Sequence, residues 1–239
     1  MLTVHGDLMS QPTRAVIIFC LANGIEYKLK VVNLSKLENR RPEFLAINPR
    51  GLVPVITDNG FNLNESATIL RYLATTRSVQ DHWYPADAKA RARVDALMDC
   101  YQTNLRQTAR FVFVRVLQVN VFRQPPAKKE EAELYERNMI ASLDVLDKEV
   151  LAEGPFLLGA SKPSIADLLL SCEVTQTLIL KKSDLEALLG PRPKIRQWLK
   201  ALEDEFAPHF HTVHSKVRDT AALLEKMGSK SQSKSQSAL

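Results

Sequence analysis

Three short stretches set polar groups at the starts of predicted elements, where an anionic or nucleophilic ligand could be held. In "DLMSQPTRAV" Ser10 stands just ahead of Pro12 and an apolar run. In "INPRGLVPVI" Val53 precedes Pro54 at the start of an apolar strand, and in "NESATIL" Glu65 and Ser66 open another helix. A helix N-terminus carries N–H groups without acceptors and a partial positive charge, so it stabilises a thiolate or carboxylate placed there. Pro12 suits the first helical position because it has no N–H to leave unpaired, which makes Gln11 the cap and leaves Ser10 outside, facing the anion. A helix beginning at Gln11 instead makes Ser10 an ordinary cap, and spacing alone leaves both readings open. Pro54 cannot donate to a ladder and belongs at a strand's first residue or on an edge. A cis bond before it would be a device for presenting the Val53 backbone. Glu65 and Ser66 read equally as a cap with a favourable charge–dipole contact.

The elements that must position these residues are of two kinds. Residues 1–76 alternate: "LTVHG" as a strand, Gln11 to Asn23 as a helix, "YKLKVVNL" as a strand, then a polar helix-compatible piece. Next, Asp58-Asn59-Gly60 separates two short apolar runs, the pattern of a tight hairpin, and "ESATILRYLATT" follows as a helix. The expected order is βαβαββα. Residues 77–86, "RSVQDHWYPA", read as a linker, and residues 87–226 as an all-helical domain. There Val94, Leu97, Met98, Tyr101, Leu105 and Thr108 share one face. Met139, Leu143, Leu146 and Val150 share another, as do Ile195, Trp198 and Leu202. Ser164 and Asp167 form a capping-box variant ahead of "IADLLLSC". Residues 227–239, polar and low in complexity, are expected to be disordered.

With 239 residues, 45% of them hydrophobic, the chain can bury a sizeable core. Cys20, Cys100 and Cys172 are odd in number and far apart, which offers neither a disulfide framework nor a zinc site and suits a reducing compartment. Of the net charge of +5, residues 216–239 supply +3, five Lys/Arg against two Asp/Glu, so the body carries no nucleic-acid footprint. No apolar run reaches the ~18 residues of a membrane span, and the N-terminus lacks a signal-peptide pattern. The expected location is the cytoplasm, with peroxisome or nucleus as lesser alternatives. Ser237-Ala238-Leu239 differs from the peroxisomal Ser-Lys-Leu address at its middle residue.

A βαβαββα unit of thioredoxin-like order followed by a helical domain, carrying "SQPTRAV", "NPRGLVPV", "NESATILRYL", "DHWYP", "ARARVD" and "SIADL", resembles the soluble glutathione transferases, most nearly the theta class. The likeness covers about residues 1–206 and is more specific before Phe111 than after it. Thioredoxins and glutaredoxins carry a reactive Cys where this chain has "MSQP", which disfavours a dithiol redox role. The resemblance implies that Ser10 donates a hydrogen bond to the sulfur of glutathione and stabilises the thiolate. It implies that Val53, beside Pro54, pairs its backbone with the cysteinyl unit, and that Glu65 and Ser66 hold the γ-glutamyl end. Leu52 stands where many theta-like proteins have Lys, so the glycyl carboxylate falls to Asn39 and Arg40, or to Arg41.

By the same resemblance, a second-substrate pocket lies between the domains, lined by Leu8, Met9 and Gln102. Arg106, which matches a theta-class arginine, would stabilise negative charge on a leaving group or peroxide oxygen. The implied activity is conjugation of glutathione, a co-substrate rather than a cofactor, to small hydrophobic electrophiles, with reduction of organic hydroperoxides beside it. The implied assembly is a homodimer, with no metal, nucleic acid or membrane as partner. The alternative is a non-catalytic binding or assembly module on the same fold. Leu52 favours that alternative, while Ser10 with Glu65 and Ser66 favours the enzyme.

Overall fold

In the computed structural model, which describes residues 1–151 and 153–236, a four-stranded sheet has the order β2-β1-β3-β4. β1 (Leu2–Gly6) pairs in parallel with β2 (Tyr27–Val31) and antiparallel with β3 (Val55–Asp58), which pairs antiparallel with β4 (Phe61–Asn64). The β3–β4 hairpin closes on Asn59-Gly60, whose φ angles of 50° and 88° are those a two-residue hairpin turn demands. β1 and β2 are joined by α1 (Gln11–Ala22), β2 and β3 by two short 3-10 turns and α2 (Pro42–Leu45), and α3 (Ser66–Thr76) follows β4. This is the expected βαβαββα order on a thioredoxin-like sheet, with the polar second helix reduced to one turn.

α1 is buried from Gln11 to Cys20, packed against α3 and two later helices, Ile165–Val174 and His209–Gln236, and sharing a core with Leu2, Val4 and Ile56 of the sheet. Its sequence, "QPTRAVIIFCLA", is accordingly apolar all round rather than striped. Residues 77–87 lead into the helical region and bury Trp83, whose ring meets Phe19 edge-on at 5.2 Å and stacks on Phe206 at 5.7 Å. That region comprises α4 (Ala88–Thr103), α5 (Gln107–Val112), α6 (Gln118–Asn120), α7 (Lys129–Val145), α8 (Ile165–Val174), α9 (Lys182–Leu189), α10 (Pro193–Glu205) and α11 (His209–Gln236). The Ser164–Asp167 capping box forms, and the buried Asp167 carboxylate also accepts from Leu157 N and Trp198 Nε1 at 3.0 and 2.9 Å. Burial raises the Asp167 pKa against these three donors and a fourth, Ser164 Oγ at 2.9 Å.

One expectation is corrected at the C-terminus. α11 runs on to Gln236, through most of the stretch read as disordered, since Lys and Gln are good helix formers and no proline interrupts them. Ser237-Ala238-Leu239, the segment like a peroxisomal address, lies outside the described residues. No helix among the described residues is long and apolar enough to cross a membrane.

Candidate active site

Sheet register gathers the three stretches. His5 pairs with Val55 and Val55 with Asn64, so the end of β1, the start of β3 and the end of β4 lie in one row. Beyond that row come the turn ending in Ser10, the Val53–Pro54 pair and the Glu65–Ser66 pair. All three therefore sit at the same edge of the sheet, two of them at the starts of α1 and α3.

Ser10 is the N-cap of α1, which begins at Gln11. The reading in which Gln11 caps the helix is thus corrected: none of the first helical N–H groups has an intrahelical acceptor, so Pro12 fits the second position as well as the first. Capping does not use up the hydroxyl. Ser10 Oγ accepts one long bond, 3.4 Å from Thr13 N, and among the described residues its own hydrogen has no acceptor. The turn before it is held by Ser10 N donating to Asp7 O at 2.8 Å and Met9 N donating to Asp7 Oδ1 at 2.9 Å. The Asp7 carboxylate, buried, also accepts from Leu34 N at 3.2 Å and pairs with Lys216 of α11.

Val53 precedes β3 and forms a cis peptide with Pro54. Its backbone makes no hydrogen bond within the described chain. The neighbouring loop is braced from the β2 side: Asn39 Nδ2 donates to Gly51 O at 2.8 Å, and Arg40 Nη1 lies 3.4 Å from Arg50 O. Gly51, at φ +64°, lies so close that a Cβ would meet Arg40 Nη1 and Asn39 O at 2.9 Å. Leu52 is exposed at the tip, and Asn39 Oδ1 is buried without a partner.

Glu65 caps α3 with φ 66°, a left-handed backbone that is costly for a residue with a side chain. Its carboxylate is engaged by Arg50, Nη1 to Oε1 2.6 Å, in a pair that is largely open to solvent. Ser66 is buried, its hydroxyl bonds to nothing in the described chain, and the first backbone bond into the helix is Ile69 N to Glu65 O at 2.8 Å. The amides of Ser66, Ala67 and Thr68 are left for an anion.

Arg106 has a partner that the sequence does not announce. Its Nη1 donates to Glu173 Oε1 at 2.5 Å, and Tyr101 Oη donates to the same oxygen at 2.6 Å. Burial works against the Arg106 charge, but Glu173 and Tyr101 hold its pKa above the usual value; burial raises the Glu173 pKa in turn. The Arg106 charge is therefore balanced inside the helical region rather than left free. Gln102 is exposed on α4, and Tyr101 is the residue of that turn directed inward. Leu8 and Met9 are partly buried against the core, and the Met9 sulfur lies 3.7 Å from the Thr220 hydroxyl of α11.

Cavities of about 440, 540 and 390 Å³ are lined elsewhere: between α4 and α7, between the far end of α1 and α10–α11, and beneath Trp198. Cys20 and Cys172 are buried thiols, each pushed up to about 12 by burial, and neither can serve as a thiolate nucleophile near neutrality.

Sequence reasoning missed Arg14, Glu173, Tyr101, Asp7, Lys216 and Arg50. Arg14 is fully buried and donates to Leu8 O at 2.8 Å, Cys172 O at 2.9 Å and Gln176 Oε1 at 2.7 Å, tying α1 to α8. Its signal was present as a lone charge inside an apolar helix, which calls for buried acceptors.

A thioredoxin-like sheet followed by a helical region, with the Ser10 and Ser66 hydroxyl hydrogens lacking acceptors among the described residues at two helix starts, defines the architecture of this chain. Residues 10–76 match the family model described as the N-terminal domain of glutathione S-transferase. The chain is 39% identical to glutathione S-transferase T1 of Arabidopsis thaliana over 95% of its length and 94% of the relative. It is 35% identical to glutathione S-transferase theta-2 of Homo sapiens, covering 90% and 88% of the two chains. It superposes on human glutathione transferase theta-2, solved in complex with glutathione and an unknown ligand, with a TM-score of 0.85 at 33% identity, covering 95% and 91%. The chain belongs to the glutathione S-transferase family, in its theta class, and is an enzyme rather than a non-catalytic module.

Proposed function

We propose that Ser10 makes the glutathione thiolate and that the thiolate attacks small hydrophobic electrophiles. The observation that carries this reading is the Ser10 hydroxyl, which caps α1 while its own hydrogen has no acceptor among the described residues. Directed at the sulfur, that hydrogen and the start of α1 favour S⁻ over SH. Lowering a thiol pKa of ~8.5 by ~2 needs about 2.7 kcal/mol, within reach of one charge-assisted hydrogen bond and a helix N-terminus. No general base is then required. The proton leaves to water, the sulfur forms a C–S bond, and the leaving group departs with the electron pair of the bond that breaks.

The remaining roles follow from the sheet edge. The unpaired Val53 backbone receives the cysteinyl unit as an added strand does, and Ser66 with the first amides of α3 receives the γ-glutamyl carboxylate. Arg40, with Asn39 and Arg41, stands nearest to replacing the cation that Leu52 lacks at the glycyl end. Leu8 and Met9 form the apolar wall for the electrophile. Arg106, already balanced by Glu173, contributes hydrogen-bond donors rather than a free charge. With an organic hydroperoxide the same thiolate attacks the outer oxygen and the O–O bond breaks, giving the alcohol. A second glutathione then converts the sulfenic acid of the first to the disulfide and water. A homodimer and a reducing, cytoplasmic setting complete the proposal, since reduced glutathione is the substrate.

Conjugation and cumene-hydroperoxide reduction, measured with wild type and Ser10→Ala, test this. A loss of about 10- to 100-fold in kcat/KM at neutral pH, shrinking as the pH approaches the thiol's own pKa, is the expected result. Equal activities at all pH values remove Ser10 from the mechanism.

A further inference from the structure

The turn that presents Ser10 carries a negative charge of its own. Asp7 lies three residues before Ser10, is 2% exposed, and points its carboxylate back into the turn at the Met9 amide. A second anion at the start of α1 would be repelled by it. Two cations face Asp7: Arg14 of α1, which acts on it through space, and Lys216 of α11, which contacts its Oδ1 directly. Arg14 is also shared, since Glu173 of α8 draws on the same charge. The direct neutralisation of Asp7 therefore comes from a helix at the opposite end of the chain, 209 residues away. Thr220, one turn beyond Lys216 on the same face of α11, meets the Met9 side chain. The two contacts brace both sides of the turn.

We propose that Lys216 is a positioning residue for the thiolate: by neutralising Asp7 it leaves the start of α1 free to accept a negative sulfur, and by gripping the turn it fixes the Ser10 hydroxyl. This inference rests on the reading of Ser10 above. It makes the ionisation of bound glutathione depend on the last helix as well as on the thioredoxin-like domain. Lys216 is 42% exposed, so methionine keeps the stem packing while removing the charge.

The test is the thiolate ultraviolet absorbance of glutathione bound to the full-length enzyme, titrated against pH for wild type, Ser10→Ala, Lys216→Met, Lys216→Arg and the double variant Asp7→Asn/Lys216→Met. Lys216→Met is expected to raise the apparent thiol pKa by about 0.5 to 1, the effect of one uncompensated charge at several ångströms in a half-solvated site. Lys216→Arg should restore it. The double variant should also return it to within about 0.3 of wild type, because the asparagine amide keeps an acceptor for the Met9 N–H without the charge. A merely structural loss would instead deepen in the double variant. The inference is overturned if Ser10→Ala moves the titration and Lys216→Met does not, or if the double variant moves it further. If Ser10→Ala leaves the titration unmoved, the assignment of Ser10 itself fails, and this inference with it.

Discussion

Ser10 and Arg14 lie one turn apart on the first helix, and both are buried, at 7% and 0% exposure. The Ser10 hydroxyl accepts one long bond and its own hydrogen has no acceptor in the described chain; the Arg14 guanidinium has three acceptors within 2.9 Å. The contrast repeats farther along the chain. Ser66 leaves its hydroxyl and the following amides without partners in the described chain, whereas Tyr101 and Arg106 converge on one oxygen of Glu173. A polar group at the sheet edge can be satisfied by water until a ligand arrives, so the fold tolerates an unused donor there. Between α1 and α8 most buried groups are paired, Arg14 Nε and Glu173 Oε2 being exceptions, because a polar group without a partner there is costly.

The largest effect should come from the buried, hydrogen-bonded side of this comparison. Arg14→Met leaves the carbonyls of Leu8 and Cys172 and the Gln176 amide without their donor and removes a cation near Glu173. A loss of about 3–5 kcal/mol is expected, read as a fall in the urea midpoint of unfolding. Ser10→Ala should do the reverse, costing under about 1 kcal/mol of stability because the cap bond is long. Its loss in kcat/KM should reach up to about 100-fold, close to 2.7 kcal/mol. If Ser10→Ala unfolds the protein as readily as Arg14→Met, the two residues are not of different kinds and the comparison breaks.

A third test uses pH. His214 of α11 is buried against Thr175 and Phe210, its Nε2 2.8 Å from Thr175 Oγ1 and its Nδ1 2.7 Å from Phe210 O. Burial, helped by the Arg14 charge, pushes its pKa down from 6.5 to about 3. The unfolded chain therefore takes up this proton first, and stability is lost as the pH falls below 6.5, levelling off near about 3. Between pH 7 and pH 5 this one group should remove about 2 kcal/mol. In His214→Gln the fall across that interval should be smaller by that amount, measured as unfolding midpoints at each pH. Activity per folded molecule should be unchanged, because His214 belongs with Arg14 to the buried, hydrogen-bonded interior.

The sequence was informative where one residue and its neighbours settle the outcome. The Asn59-Gly60 hairpin, the Ser164–Asp167 cap and the polar starts of α1 and α3 are local devices, and each stands where local rules put it. The cap of α1 stayed open between Ser10 and Gln11 because Pro12 fits either of the first two helical positions; the structure places it at Ser10. Arg106 shows the other limit. "NLRQTA" says nothing of Glu173, which lies 67 residues on, just as nothing near Asp7 announces Lys216. Ion pairs of that separation depend on how helices from distant parts of the chain are stacked, and helical periodicity fixes only which face of each is apolar. The sheet edge was legible because its chemistry is local, and the ion pairs of the interior were not.

Arg50 tests where the edge stops being open. Its guanidinium rests on the Glu65 carboxylate, beside the α3 start proposed to hold the γ-glutamyl end. If Glu65 receives the α-ammonium of that unit, the Arg50 cation occupies the same place in the free enzyme and binding must displace it. Both partners are largely solvent-exposed, at 66% and 45%, so the pair contributes no more than about 1 kcal/mol. Removing it can therefore change affinity by no more than about fivefold. Arg50→Ala should lower the KM for glutathione about two- to fivefold and leave kcat as it is, and the gain should fade in high salt, which already weakens the pair. A rise in KM would instead make Arg50 a ligand for the γ-glutamyl carboxylate. The open edge would then include a charged donor beside its unused hydroxyls.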